Sequence, residues 1–214
     1  MYTEVIQDGA LTLLENGVVS SASGTALTLS KEAEAMFYER FSYFRDKIVL
    51  RSQEISNNDT LIRRFGIVAM NTAVEVDIYG NVNSTHVTGS SIINGVGGSG
   101  DFARNAGLSI FITPSVAKNG NISCVVPMVT HVDNAEHDVQ VIVTEQGIAD
   151  LRGLSPKERA ESIIKFCCHP DFKPELEEYF ARACAATGKA HTPHDLKTVF
   201  AMHQRYAETG SMKK

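Results

Sequence analysis

No stretch of this 214-residue chain is apolar over the roughly 18 residues that a bilayer crossing needs. The opening residues, Met1-Tyr-Thr-Glu-Val-Ile-Gln-Asp-Gly9, have neither the basic start nor the apolar core of a signal peptide, so no membrane association is expected. Met1 is then either a native start or a cut within something longer. Basic residues form no run, and Asp plus Glu outnumber Lys plus Arg by 25 to 20 for a formal net charge of −5, so no nucleic-acid-binding face is expected. Cysteine is scarce: there are four, none at metal-ligand spacing and two of them adjacent (Cys167, Cys168). That excludes a zinc framework and favours a reduced, cytoplasmic protein. His86, His131 and His137 are scattered without a third ligand at a useful spacing, so no metal is expected. There is no G-x-S-x-G elbow, and Cys124 lies inside an apolar run, which leaves serine and cysteine nucleophiles without good candidates. Neither internal repeats nor low-complexity linkers occur.

What is present is ordinary globular composition, 43% apolar and 21% charged, enough for one full domain with a helical appendage. Up to about residue 150 short β-type runs alternate with Gly and Asn turns. Residues 49–50, 67–71, 74–78, 108–112, 122–126 and 139–143 read as strands, with hairpin turns at Gly80-Asn81 and at Lys118-Asn119-Gly120-Asn121. The alternation in Val74-Glu-Val-Asp-Ile78 predicts a strand with an exposed acidic face. Ser56-Asn57-Asn58-Asp59 is a helix-capping cluster ahead of Leu61–Phe65. Beyond Leu151 the period becomes 3.6. Ser155-Pro156 starts a helix ending before Pro170, a second follows Pro174, and a third is expected from about His194, carrying Leu196, Val199, Phe200 and His203. The expected fold is α/β, an open mixed or parallel sheet over residues 1–150 with a helical C-terminal cover over 151–214.

The densest chemical signal is Asn94-Gly-Val-Gly-Gly-Ser-Gly-Asp-Phe102. Four glycines in six residues cost backbone entropy, and such a loop lets the backbone approach a ligand and aim N–H groups at negative charge. As a dinucleotide fingerprint it is weak, since no βαβ unit is evident around it. Among the carboxylates, Glu145 directly follows an apolar strand, and residues at the carboxyl ends of α/β strands face the ligand crevice. Glu75 and Asp77 read as a polar strand face, and the histidines of the tail, His194 and His203 among them, as surface or cap residues. A carboxylate nucleophile suits this inventory best.

Glu75-Val-Asp-Ile-Tyr-Gly-Asn-Val-Asn-Ser-Thr-His86, the glycine segment through Arg104, and Val143-Thr-Glu-Gln-Gly-Ile-Ala-Asp-Leu-Arg-Gly-Leu-Ser-Pro156 closely resemble the acetyl-CoA hydrolase/transferase family. His191-Thr-Pro-His194 and Thr209-Gly-Ser-Met212 look like the branch that moves CoA between succinate and acetate. The resemblance covers essentially the whole chain, yet family members are about twice as long, so it implies a C-terminal half without its N-terminal CoA-transferase domain. It implies the sheet of the CoA-transferase type, coenzyme A as substrate rather than resident cofactor, and acyl-CoA and small carboxylates as partners. A missing half or a second copy would serve as protein partner. By the same resemblance Glu4, in Thr3-Glu-Val-Ile-Gln-Asp-Gly9, matches the glutamate nucleophile. Asn57 and the Gly98 amide match the oxyanion donors, Glu145 a second active-site glutamate, and Gly97, Gly98 and Lys118 the CoA contacts. A residue so near the chain end frays unless tied down, so Glu4 is expected to lack an anchor in this chain alone. Two alternatives stand beside this reading: a CoA-binding module or fragment without catalysis, and a sugar-phosphate isomerase of similar architecture.

Overall fold

Residues 21–27, Ser-Ala-Ser-Gly-Thr-Ala-Leu, have little strand propensity, yet they form the middle of the first structural unit. In the computed structural model, which describes residues 1–214, the chain divides into two compact units, 1–67 and 68–214. The first holds β1 (Val5–Ile6), α1 (Asp8–Glu15), β2 (Ala22–Gly24), β3 (Ala26–Leu27), α2 (Lys31–Glu39), α3 (Phe41–Arg45), β4 (Ile48–Leu50), α4 (Gln53–Ser56) and α5 (Asp59–Phe65). β1 runs parallel to β3 with Val5 opposite Ala26, and β2 runs parallel to β4 with Ala22 opposite Ile48. Helices make these crossovers, as parallel pairing requires. α1 places Ala10, Leu11 and Leu14 on one stripe, which packs with Ile6, Ala22, Phe37 and Phe44 into the core of this unit. Its helices have local reasons to start: the Ser30 hydroxyl accepts from the Ala33 amide at 3.2 Å, and Asn58 Oδ1 accepts from Thr60 and Leu61 at 3.0 and 3.1 Å.

The second unit contains β5 (Val68–Thr72), β6 (Glu75–Asp77), β7 (Val82–Asn83), β8 (His86–Val87), β9 (Ser91–Ile92), α6 (Ser99–Asn105), β10 (Leu108–Ile112), β11 (Val116–Ala117), β12 (Ile122–Ser123), β13 (Val125–Val126), β14 (Val141–Thr144), β15 (Gly147–Asp150), α7 (Pro156–Cys167), α8 (Lys173–Thr187) and α9 (Ala201–Thr209). Its main sheet has the order β15-β14-β10-β5, parallel except for the antiparallel edge strand β15. The fold is α/β, as expected, and the change of periodicity near residue 150 is a change of element type inside this unit. One face of the sheet buries Phe111, Ile142 and Ala149, which join Leu151, Ile163, Ile164 and Leu176 in one core, and Ala69 beside them is buried too. The opposite face is apolar yet open: Val68 is 51% exposed, Met70 68%, Ile112 40% and Ile148 62%. Gly147 is required by close approach, because a Cβ there would stand 2.8 Å from the Phe166 carbonyl oxygen of α7.

Three expectations are corrected. Glu75 and Asp77 are buried, 7% and 1% exposed, because β6 lies between β13 and β7 rather than at a solvated face. The third tail helix begins at Ala201, since the Asp195 carboxylate accepts from the Lys197 amide and the Thr198 hydroxyl and closes a turn where the helix was expected. His194 and His203 are packed, not superficial: His194 lies against Tyr79 and bonds the Tyr179 hydroxyl, and His203 faces Glu75. All four cysteines are free, and burial pushes Cys124 and Cys167 up to about 11 and Cys168 to about 12. No helix is long and apolar enough to cross a membrane.

Candidate functional site

Glu4 is anchored after all, which corrects the expectation of a frayed nucleophile. The Thr3 amide donates to Ser23 O at 2.9 Å, Ser23 donates to Met1 O at 3.0 Å, and the Glu4 carbonyl accepts from Thr25 at 2.6 Å and Ala26 at 3.3 Å. Tyr2 forms an isolated parallel bridge with Ser23, so the segment before β1 is tied to the β2 backbone although it is not itself a strand. Gly24 makes this pairing possible: a Cβ there would lie 3.0 Å from Glu4 O and 3.3 Å from Thr3 O. Downstream in the same motif, Asp8 opens α1 and its carboxylate accepts from the Ser30 amide at 2.9 Å, which ties the starts of α1 and α2 together. Asn57 closes α4, its amide donating to Gln53 O at 2.8 Å, and it is 8% exposed. The Tyr2 hydroxyl donates to Ile55 O, so the segment that carries Glu4 and the helix end that carries Asn57 are joined two residues before each.

In the second unit the glycine loop opens α6, and α6 is the crossover helix between the parallel neighbours β5 and β10. A βαβ unit therefore does surround the loop, contrary to the sequence reading, with two hairpins inserted between β5 and α6. Residues 91–97 are exposed and the chain turns inward at buried Gly98. Gly97 has φ +54, the left-handed region that glycine enters at no steric cost. A crossover helix runs back against the strands, so its first residues, with Gly97 and Gly98, lie at the carboxyl edge of the sheet. Glu145, just past the end of β14, lies at the same edge, the place where ligands bind in open α/β sheets.

Glu145 is held there by Ser115, which follows β10. The Ser115 amide donates to Oε2 at 2.8 Å, its hydroxyl donates to Oε1, and Gln146 Nε2 adds a third bond at 3.1 Å. Desolvation pushes the carboxyl up, but the Ser115 and Gln146 donors outweigh it and hold Glu145 down to about 2. Its ionised form is the one the fold favours, so the clamp is complete above the ordinary value of 4.5 and opens as pH falls through about 2. Ser115→Ala removes one donor and is expected to move the Glu145 midpoint up towards 4.5 in a carboxyl-carbon NMR titration. An unshifted midpoint would refute the clamp. Ser115 had no signal in the sequence, being one serine in a Pro-Ser-Val loop.

Lys118 occupies the β11–β12 turn, where Lys118, Asn119 and Gly120 have φ of +47, +55 and +82. It is exposed, with its ammonium 5.9 Å from the Tyr206 ring centroid. Glu4 and Asn57 thus fall in the first unit, and Gly97, Gly98, Lys118 and Glu145 in the second. No three His, Cys, Asp or Glu side chains converge as metal ligands would.

Residues 34–180 match the family described as the acetyl-CoA hydrolase/transferase C-terminal domain. The chain is 58% identical to a succinyl-CoA:acetate CoA-transferase of Clostridium kluyveri over 99% of its own length and 39% of that protein's. It is 50% identical to an acetyl-CoA hydrolase of Candida albicans over 100% of its length and 42% of the other's. Among solved structures, a 4-hydroxybutyrate CoA-transferase from Porphyromonas gingivalis superposes with a TM-score of 0.65 at 28% identity, covering 85% of this chain and 45% of that one. The chain spans about two-fifths of the length of the curated relatives it matches.

Proposed function

The chain belongs to the acetyl-CoA hydrolase/transferase family, and from that premise we propose that it is the catalytic half of an acyl-CoA:carboxylate CoA-transferase, with acetyl-CoA hydrolysis as a side reaction. The observation that carries this reading is the set of backbone hydrogen bonds that fasten the segment carrying Glu4 to residues 23–26. A carboxylate is a weak nucleophile, so its rate must come from positioning and from donors aimed at the developing charge. A Glu4 oxygen attacks the thioester carbonyl and CoA thiolate leaves, giving a mixed anhydride. The thiolate then attacks the glutamyl carbonyl and releases the first acid, leaving a glutamyl-CoA thioester, and an incoming carboxylate reverses the sequence. In the first unit the Asn57 amide is the candidate oxyanion donor, and in the second the Gly98 N–H is the donor that the glycine loop offers; losing a donor of this kind costs roughly 10²–10³ in rate. Glu145 is ionised at neutral pH and therefore serves as an acceptor, not as a proton donor. Lys118 offers an exposed cation to the phosphates of CoA. Water admitted to the anhydride gives hydrolysis in place of transfer.

The open sheet face around Met70 and Ile148 supports a protein partner, either the remainder of a relative-length protein or a second copy. The four free thiols, three of them buried, suit a reducing cytoplasm. To test the central claim, acetyl-CoA is incubated with the protein and quenched with borohydride, which reduces a glutamyl thioester. Peptide mass spectrometry is expected to find the reduced residue at Glu4. CoA binding by calorimetry without that product would instead identify a non-catalytic CoA-binding module.

A further inference from the structure

Behind the glycine loop runs a buried polar chain that the chemistry above leaves unused. Glu75 Oε1 accepts from the Thr130 amide and hydroxyl, both at 2.8 Å, and from Asn83 Nδ2 at 3.0 Å. Its Oε2 lies 2.9 Å from His203 Nε2 on α9, and since a carboxylate only accepts, that nitrogen carries the proton. Asn83 passes the constraint on. Its Nδ2 also donates to His86 O at 2.8 Å, and its Oδ1 accepts from the Thr85 and His86 amides at 3.2 and 2.9 Å. Three residues past Thr130, Asp133 Oδ2 accepts from the Ser84 amide at 2.8 Å and the Thr85 hydroxyl at 2.8 Å.

Two strips, 83–86 and 130–134, are thereby fastened to each other and to Glu75. The glycine loop is strung between them. At its entry Asn94 Nδ2 donates to Ser84 O at 2.7 Å; at its exit Asn134 Nδ2 donates to Ser99 Oγ at 3.2 Å. The hairpin that leads into the loop also rests on the second strip, because a Cβ at Gly89 would meet Thr130 Cβ at 3.5 Å.

We propose that the Glu75–His203 pair is a positioning device for the glycine loop: from the C-terminal helix it fixes the two strips that hold Asn94 and Ser99, and so sets the direction of the Gly97–Gly98 backbone. This rests on reading that loop as part of the reacting site. A buried carboxylate costs desolvation that its hydrogen bonds must offset, so retaining one here fits a role in fixing geometry.

The test is amide hydrogen exchange on the full chain. His203→Ala is expected to speed exchange in the peptide covering residues 94–106 by about tenfold while α7 peptides of the same unit stay unchanged. His203→Gln, whose amide nitrogen can replace Nε2, is expected to restore protection. Unchanged exchange at 94–106, or acceleration spread evenly over the unit, overturns the proposal. Should His203→Ala not fold, Thr130→Val removes one Glu75 contact at constant volume, and the same peptide must again exchange faster. In acyl-CoA exchange assays kcat is expected to fall about tenfold in His203→Ala with little change in KM, and to recover in His203→Gln. A loosened loop in a protein whose wild type forms no Glu4 adduct would sink the CoA-transferase reading and leave the positioning link standing.

Discussion

Glu4→Asp is expected to lower acyl-CoA:carboxylate exchange by about 10² or more, and Glu4→Gln to reduce it to background. Shortening the side chain withdraws the attacking oxygen by roughly one carbon–carbon bond, about 1.5 Å. The backbone cannot follow it. Glu4 O is held by two amides from residues 25 and 26, Thr3 is held by Ser23, and Gly24 leaves no slack beneath them. Labelled acetate appearing in acetyl-CoA provides the readout, and the borohydride-reduced Glu4 peptide should vanish in parallel. Exchange within threefold of wild type in Glu4→Asp would remove Glu4 from the mechanism.

Phe111→Ala is expected to destabilise the second unit by about 3–5 kcal/mol, a large share of the 5–15 kcal/mol typical of a folded protein. Phe111 is fully buried at the middle of β10, opposite Asn71 of β5 and Ile142 of β14. Truncation there leaves a cavity under three strands at once, two of which, β10 and β14, carry the Glu145–Ser115 clamp past their carboxyl ends. Met70→Ser lies on the other face of the same sheet, where the side chain is already largely in water, and is expected to stay within about 0.5 kcal/mol. Urea titrations of both variants compare the faces directly. Equal shifts would mean that the open face is covered in solution.

The main strands and the first tail helix were legible because local signals agreed with the fold. Leu108–Ile112 is an apolar run of strand length and is β10 residue for residue. Ser155-Pro156-Lys-Glu158 forms a capping box at the start of α7. Where tertiary partners decide, the sequence misled. Glu75 and Asp77 alternate with apolar neighbours as a half-exposed strand would, but their donors come from Asn81, Asn83, Thr130 and His203, up to 128 residues away. Burial dominates at Asp77 and raises it to about 6 despite the Asn81 and Tyr79 donors. Leu196 and Val199 imitate a helical stripe, yet Leu196 is 76% exposed. The motif around Glu4 was readable, but its anchor lies in Ser21–Ala26, a small polar stretch without strand character. The crossover role of α6 was hidden by the two hairpins between β5 and the loop.

The distribution of sulfur has a practical outcome for experiments on this molecule. Cys124, Cys167 and Cys168 are enclosed and keep their protons at neutral pH, whereas Cys184 on α8 is partly open to solvent. A maleimide applied to the folded chain therefore has one place to react, and a fluorophore or spin label attached there reports on α8 without any engineered substitution.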